Sequence, residues 1–477
     1  MTKGQLILDA AARAELWAKL GELLEAAHLE ASAAPIAPKV DRGALDAALA
    51  GFDFDHPVGA SRALEAAFEA MRAFHVKTAH PRYFGLFSPS PATLAAAADA
   101  LVSALNPQLA AYAHSPFAIE LERALLRAFG GRFGWPEGEV EGALTGGGAE
   151  ATLTALTTAL AARFPEWRRR GLRGLERAPT LYASVEAHPS LVKAARVVGL
   201  GDEAVRRVSV DRSWRLKPAA LAEAVANDRL AGHEPFLVVA TAGTTSAGVI
   251  DPLGAVADVA ARFHCWMHVD AAWGGLAAFA PALAPALAGI ERADSIAFDP
   301  HKALATPLGV GAYLSRRPGA LRRAFDARAG YMPRDAGRDP YAHSLAWSRR
   351  FLGLRVALPL AAAGWGGCAE IITRQAALAD ELRQRLAAEG WQVVNETPLP
   401  LVCFVDGTRS DGRSSRFLAA ASARARATHD VWVSLVRLAS GARALRACIN
   451  NARTSRNDIG ALVEGLGEAR RSLPLGP

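Results

Sequence analysis

Ser295-Ile-Ala-Phe-Asp-Pro-His-Lys-Ala-Leu304, with Met267-His-Val-Asp-Ala-Ala-Trp-Gly-Gly275 upstream of it, decides how this chain is read. Each stretch is a short apolar run ending in polar residues. That is the pattern of a buried strand whose carboxyl end opens into a crevice. Cys265-Trp-Met-His-Val-Asp270 ends on an acid, and the small residues Ala271, Ala272, Gly274 and Gly275 follow it. Alone, Asp270 reads equally as a turn or helix-capping acid. Alone, Lys302 reads as a solvated loop lysine, the default for that residue type. Together they have a chemical use. A loop amine can form an imine with a carbonyl group, and a strand-end carboxylate can keep a heterocyclic nitrogen protonated.

A third motif narrows that use. Ala143-Leu-Thr-Gly-Gly-Gly-Ala-Glu-Ala-Thr-Leu153 is a Gly-rich turn running into a helix. Its glycines let backbone N–H groups approach an anion, and the helix start adds positive potential. The spacing matches neither a dinucleotide fingerprint nor a P-loop. Anion turn, strand-end acid and loop lysine follow one another in the order that the phosphate, ring nitrogen and imine of pyridoxal 5′-phosphate (PLP) require. Gly147, Gly148 and Ala149 are the candidate phosphate turn, and His301 beside Lys302 joins the cofactor-binding set. His188, in Ala187-His-Pro-Ser190, follows the run Thr180-Leu-Tyr-Ala-Ser-Val185 and starts a helix. Its imidazole can stack on a pyridine ring or meet a departing carboxylate; the plain alternative is a capping or core histidine. Thr241, after Phe236-Leu-Val-Val-Ala240, offers a hydroxyl to the cofactor's phenolic oxygen or makes a simple strand-to-loop turn.

With these residues in hand, the chain resembles the group II PLP-dependent decarboxylases, which act on aromatic amino acids, histidine, glutamate or cysteine sulfinate. The resemblance runs from about His80 to about Thr454. Four segments carry it: His80-Pro-Arg-Tyr-Phe84, Ala187-His188, His268-Val-Asp-Ala-Ala272 and Asp299-Pro-His-Lys302. It implies that Lys302 links the cofactor, Asp270 pairs with the pyridine nitrogen, His188 stacks on the ring and Ala272 packs on the other face. It also implies a fold-type-I, aspartate-aminotransferase-like α/β architecture and a homodimer. For the proton that replaces carbon dioxide, the resemblance points to a tyrosine on a mobile loop. Tyr341, with His343 as helper, lies in Asp339-Pro-Tyr-Ala-His-Ser-Leu-Ala-Trp-Ser-Arg-Arg-Phe351 and is the candidate; Tyr331 is its rival.

The substrate-facing residues implied are Phe84, Leu86 and Phe87, with Tyr112 and His114 nearby, from the same or the other subunit. Many relatives carry Trp directly after the lysine, where this chain has Ala303. Ala110 and Ala111 also stand where larger side chains are common. The expectation is a roomy site for a bulky or aromatic L-amino acid, converted to its amine and carbon dioxide. Another carbon–carbon lyase, or an aldehyde-forming oxidase, is the alternative on the same scaffold. A non-catalytic binding protein is disfavoured by the intact Lys302, Asp270 and His188. Asp299, where relatives carry Asn, would repel a phosphate and is expected to point away from the site.

Composition agrees. A chain of 477 residues suits a large domain plus smaller ones. The net charge of +7 is scattered, with clusters such as Arg168-Arg169-Arg170, and no basic stripe suggests nucleic acid. The four cysteines lack metal-ligand spacing, so no metal is expected, and reduced thiols fit a cytoplasmic protein. No signal-like start and no membrane-length apolar run are read. Residues 1–80 read as helices, with Leu16, Leu20, Leu23 and Leu24 as an apolar stripe, and the family resemblance implies that they pack on a partner subunit. Residues 81–365 alternate strands and helices as a PLP-binding large domain, and 366–477 form a small C-terminal α+β domain.

Overall fold

The computed structural model describes residues 6–87, 89–327, 330–332, 335 and 337–474. Its strands are β1 (Tyr83–Phe84), β2 (Glu141–Thr145), β3 (Pro179–Ser184), β4 (Val205–Val208), β5 (Glu234–Thr241), β6 (Trp266–Asp270), β7 (Ser295–Phe298), β8 (Gly311–Ser315), β9 (Trp391–Val393), β10 (Leu401–Asp406), β11 (Trp432–Arg437) and β12 (Arg443–Cys448). Seven of them form the large sheet in the order β2-β8-β7-β6-β5-β3-β4. β4, β3, β5, β6 and β7 run parallel, and β8 is antiparallel to both of its neighbours. Runs such as Phe236–Ala240 are apolar throughout because helices cover both faces of a mostly parallel sheet. His188, Thr241, Asp270 and Lys302 all fall at or just after the carboxyl ends of its strands. The expected fold-type-I α/β architecture is the one observed.

β7 is pinned by aromatic packing. Phe298 lies 5.4 Å from Phe129, 5.9 Å from Phe133 and 5.2 Å from Phe279, ring centroid to centroid. Truncating such a fully buried ring typically costs about 3–5 kcal/mol. Here it would also loosen the Asp299–Lys302 turn that follows directly.

The smaller sheet has the order β1-β11-β12-β10-β9. Its first member corrects the expected boundary at residue 81. Tyr83 and Phe84 pair in parallel with Trp432 and Val433, so this segment belongs by hydrogen bonding to the C-terminal sheet. Side chains hold it there. Arg82 Nε donates to Asp458 Oδ1 at 3.1 Å, and Thr454 Oγ1 donates to Pro81 O at 2.6 Å.

A second correction concerns Leu354–Ala388. This helix is long and apolar enough, by composition, to cross a membrane. The sequence reading missed it because Pro359 and the Gly364–Gly367 cluster read as a break in the helix. Pro359 and a non-helical Gly364 at φ 62° interrupt its apolar first half, little of which is buried, while Leu378, Leu382 and Leu386 of the second half are buried in the protein's own core.

Near the amino terminus, α1 (Ala10–Glu30) and α2 (Arg42–Ala50) are capped by Asp9 and Asp41, which accept N–H bonds from Ala12 and Ala44. Lys19–Glu65 and Arg72–Glu30 ion pairs tie α1 to α3 (Ala60–Phe74). None of the three helices buries a residue, and Trp17 is 54% exposed.

Candidate active site

The crevice at the carboxyl edge of the large sheet is lined by Phe87, Gly148, Ala149, His188, Ser190, Thr241, Gly243, Thr245, Asp270, Ala272, Trp273 and Lys302. Six residues expected to bind the cofactor thus come together: Gly148, Ala149, His188, Thr241, Asp270 and Ala272, around Lys302. A larger cavity of about 630 Å³ lies at the opposite ends of these strands, rimmed by Arg163, Arg292, Arg316, Arg317 and Arg323, and does not include Lys302.

The glycine turn is built as its sequence demands. Gly147 precedes the helix Gly148–Arg163 at φ 143°, a conformation that a side chain rarely tolerates. A Cβ on Gly148 would lie 2.8 Å from Asp299 Oδ2. His301 sits beside this turn, with Nε2 3.9 Å from Asp299 Oδ2, and is not among the residues lining the crevice. It is buried, and its Nδ1 lies 2.6 Å from Val310 O.

Asp270 Oδ1 accepts the Ala272 N–H at 3.1 Å, which leaves its other oxygen available to a ring nitrogen. His188 Nδ1 accepts the Ser190 N–H at 3.2 Å, so the neutral ring carries its proton on Nε2. Burial lowers the His188 pKa, Asp270 opposes that and Lys302 adds to it, so the ring stays neutral near pH 7. Thr241 is fixed by a residue that the sequence reading did not single out. Its N–H donates to Asp251 Oδ2 at 2.8 Å, and Leu216 N–H donates to Oδ1 at 2.8 Å. Burial pushes the Asp251 carboxyl up to about 6, against the pull of those two donors.

Two buried polar atoms on this crevice, Thr241 Oγ1 and Trp273 Nε1, have no hydrogen-bond partner. Buried hydroxyl and indole groups ordinarily find one. With the glycine turn and the Lys302 amine, these orphans fit a phosphorylated pyridoxal group.

Other expected residues fall elsewhere. Phe84 is fully buried in the core, Leu86 is exposed, and only Phe87 of that trio reaches the crevice. Tyr112 lies under the Arg338 guanidinium, 4.8 Å from its ring, and His114 is exposed on the same short 3-10 turn. Neither lines the crevice. Ala110 and Ala111 are buried, and the Tyr341 N–H bonds to Ala110 O at 3.1 Å, so neighbouring chain fills the room expected there. Tyr341 itself is 4% exposed, stacks on Trp347 at 4.9 Å and stays outside the crevice. Its presumed helper His343 lines a different cavity with Glu122 and Arg123. Tyr331 is 79% exposed.

Three further residues border the site, two of which had not been singled out. Trp273 lies 4.6 Å from Phe87, ring to ring. Arg446 is buried behind Phe87, 5.1 Å from its ring, and donates to Gly85 O and Thr245 O. Asp299, expected to point away, is fully buried and turns inward, with Oδ2 2.8 Å from Lys302 Nζ.

Residues 61–406 match the sequence profile of the pyridoxal-dependent decarboxylase conserved domain. The chain belongs to that family. Among curated relatives, the acidic amino acid decarboxylase GADL1 of Mus musculus is 34% identical over 341 residues, which are 69% of this chain and 61% of the relative. The match thus spans less than two thirds of that protein's length. The crystal structure of mouse CSAD superposes with a TM-score of 0.91 at 28% identity, covering 98% of this chain and 100% of the other. Oryza sativa TDC with PLP and tryptamine gives 0.91 at 26% identity, covering 98% and 99%.

Proposed function

We propose that this chain is a PLP-dependent decarboxylase of a bulky, aromatic L-amino acid. The Phe87–Trp273 ring pair carries the reading, because it gives the crevice of Lys302 an apolar, π-faced wall. Behind it, both terminal nitrogens of Arg446 are committed to backbone carbonyls. A second reading, an acidic substrate, is favoured by the GADL1 relative and by Arg446 Nε, which is buried without a partner.

PLP, when bound, supplies the electron sink that accepts the bonding pair left as carbon dioxide departs. The chain's residues supply the rest. Lys302 offers the amine that links the carbonyl, the glycine turn receives the phosphate, and the Asp270 carboxylate holds a proton on the ring nitrogen. Neutral His188 presents a flat face that repels neither a cationic ring nor a leaving carboxylate. The α-carbon must then take up a proton. Tyr331, 79% exposed, is a better donor than Tyr341, which is buried with its N–H bonded to Ala110 O; the Trp347 ring lies beside both, at 6.5 Å and 4.9 Å.

The exposed Trp17, Leu24 and Leu29 of α1 support a homodimer in which these helices cover a second copy. The substrate class is tested by offering tryptophan, tyrosine and phenylalanine beside glutamate, aspartate and cysteine sulfinate, with amine and carbon dioxide both measured. Turnover of the acids without the aromatics would overturn the aromatic reading. Aldehyde with ammonia in place of amine would assign the oxidative chemistry.

A further inference from the structure

The carboxylate touching Lys302 is Asp299, not Asp270. Asp299 Oδ2 lies 2.8 Å from Lys302 Nζ and accepts the Gly148 N–H at 3.1 Å. Its side chain has no exposure, its Oδ1 has no partner, and its own N–H is tied to Ala272 O at 3.0 Å. One buried carboxylate therefore occupies two features that the cofactor needs: the N–H at the head of the glycine turn and the linking amine.

A buried carboxylate is costly unless it is paired and hydrogen-bonded. Lys302 and Gly148 provide that pairing. A phosphate arriving at the same turn brings like charge beside Asp299, and like charges in a water-poor site repel strongly. We propose that Asp299 is an internal anion, which holds Lys302 and the glycine turn in place and which phosphate must displace from the Gly148 N–H. It is a positioning residue that weakens binding of the phosphate group in exchange for an ordered site beforehand. The proposal rests on the cofactor and not on the substrate class, so it stands or falls independently of the amino-acid panel.

The test is noncovalent and needs no turnover. The full-length chain, stripped of cofactor, is titrated with pyridoxine 5′-phosphate, which has the phosphate and no aldehyde, and with pyridoxine, which has neither. Asp299→Asn keeps shape and loses charge. It should bind pyridoxine 5′-phosphate about tenfold more tightly than the unaltered chain, with pyridoxine affinity unchanged. A purely structural role for Asp299 would instead lower the melting temperature and weaken both ligands alike. Equal or weaker binding of pyridoxine 5′-phosphate, or an equal gain for both ligands, overturns the proposal. Should Asp299→Asn fail to fold, Lys302→Ala reads the same interaction with Asp299 retained. It leaves that anion unpaired and should weaken pyridoxine 5′-phosphate about tenfold while sparing pyridoxine. Equal effects on the two ligands would again overturn the assignment.

Discussion

The two walls of the crevice are made differently. The inner wall comes from strand ends of one sheet: Asp270 closes β6, Thr241 closes β5, and Lys302 follows β7. Each is anchored by backbone geometry and a buried neighbour. The outer wall is drawn from separate segments, and of the residues expected there only Phe87 reaches the crevice. Phe87 arrives from the small sheet, Tyr112 and His114 lie on a surface turn, and Tyr331 is exposed. A sheet fixes the residues at its strand ends, whereas side chains from separate segments are placed only by tertiary packing.

If the inner wall holds the cofactor alone, Lys302→Ala should have the largest effect. Turnover and the yellow, borohydride-fixable cofactor adduct should both vanish, and peptide mapping of the adduct to any other lysine would refute the assignment. If the outer wall needs a second copy, Trp17→Asp with Leu24→Asp should yield monomers in sedimentation that retain little activity; fully active monomers would show that one chain suffices. The proton donor comes next. Tyr331→Phe should slow amine formation roughly a hundredfold with cofactor binding intact, whereas Tyr341→Phe should leave the rate close to normal. The reverse ranking would restore Tyr341 to the role first expected for it.

The smallest effect concerns the floor beneath Asp270. Burial pulls His268 from 6.5 to about 4. The unfolded chain therefore protonates this ring below pH 6.5 while the fold resists, so stability falls as pH drops from 6.5 toward 4. At pH 5 this one residue should cost ~2 kcal/mol. Asp251, with its raised value, slopes the other way and is common to both proteins. His268→Asn should thus flatten the acid limb of a urea-midpoint series, and an unchanged limb would show that the ring titrates normally.

The inner wall was legible because strands, glycine turns and a lysine leave local signals. Asp270, Lys302, His188 and Gly148 each follow an apolar run or a turn that states its own geometry. The outer wall was not, because burial and direction depend on tertiary packing. Phe84, Leu86 and Phe87 are near neighbours in sequence, yet they end in core, solvent and crevice respectively. Tyr341 and Tyr331 both face the Trp347 ring, yet one is buried and the other exposed, which no local pattern reveals. Asp299 was misplaced for a different reason: repulsion from a phosphate was weighed, and attraction to the amine three residues along was not.

The pairing of β1 with β11 makes the molecule a caliper. One jaw, with Lys302, is fixed to the large sheet. The other, with Phe87, rides on the small sheet, because Gly85 O is gripped by Arg446 and by Ser434 Oγ at 3.2 Å. The opening between the jaws is set by how the two sheets sit against each other. Substitutions at a remote clasp such as Arg82–Asp458 should therefore change which side chains fit, read as KM across a substrate series, and leave the affinity for the cofactor where it was.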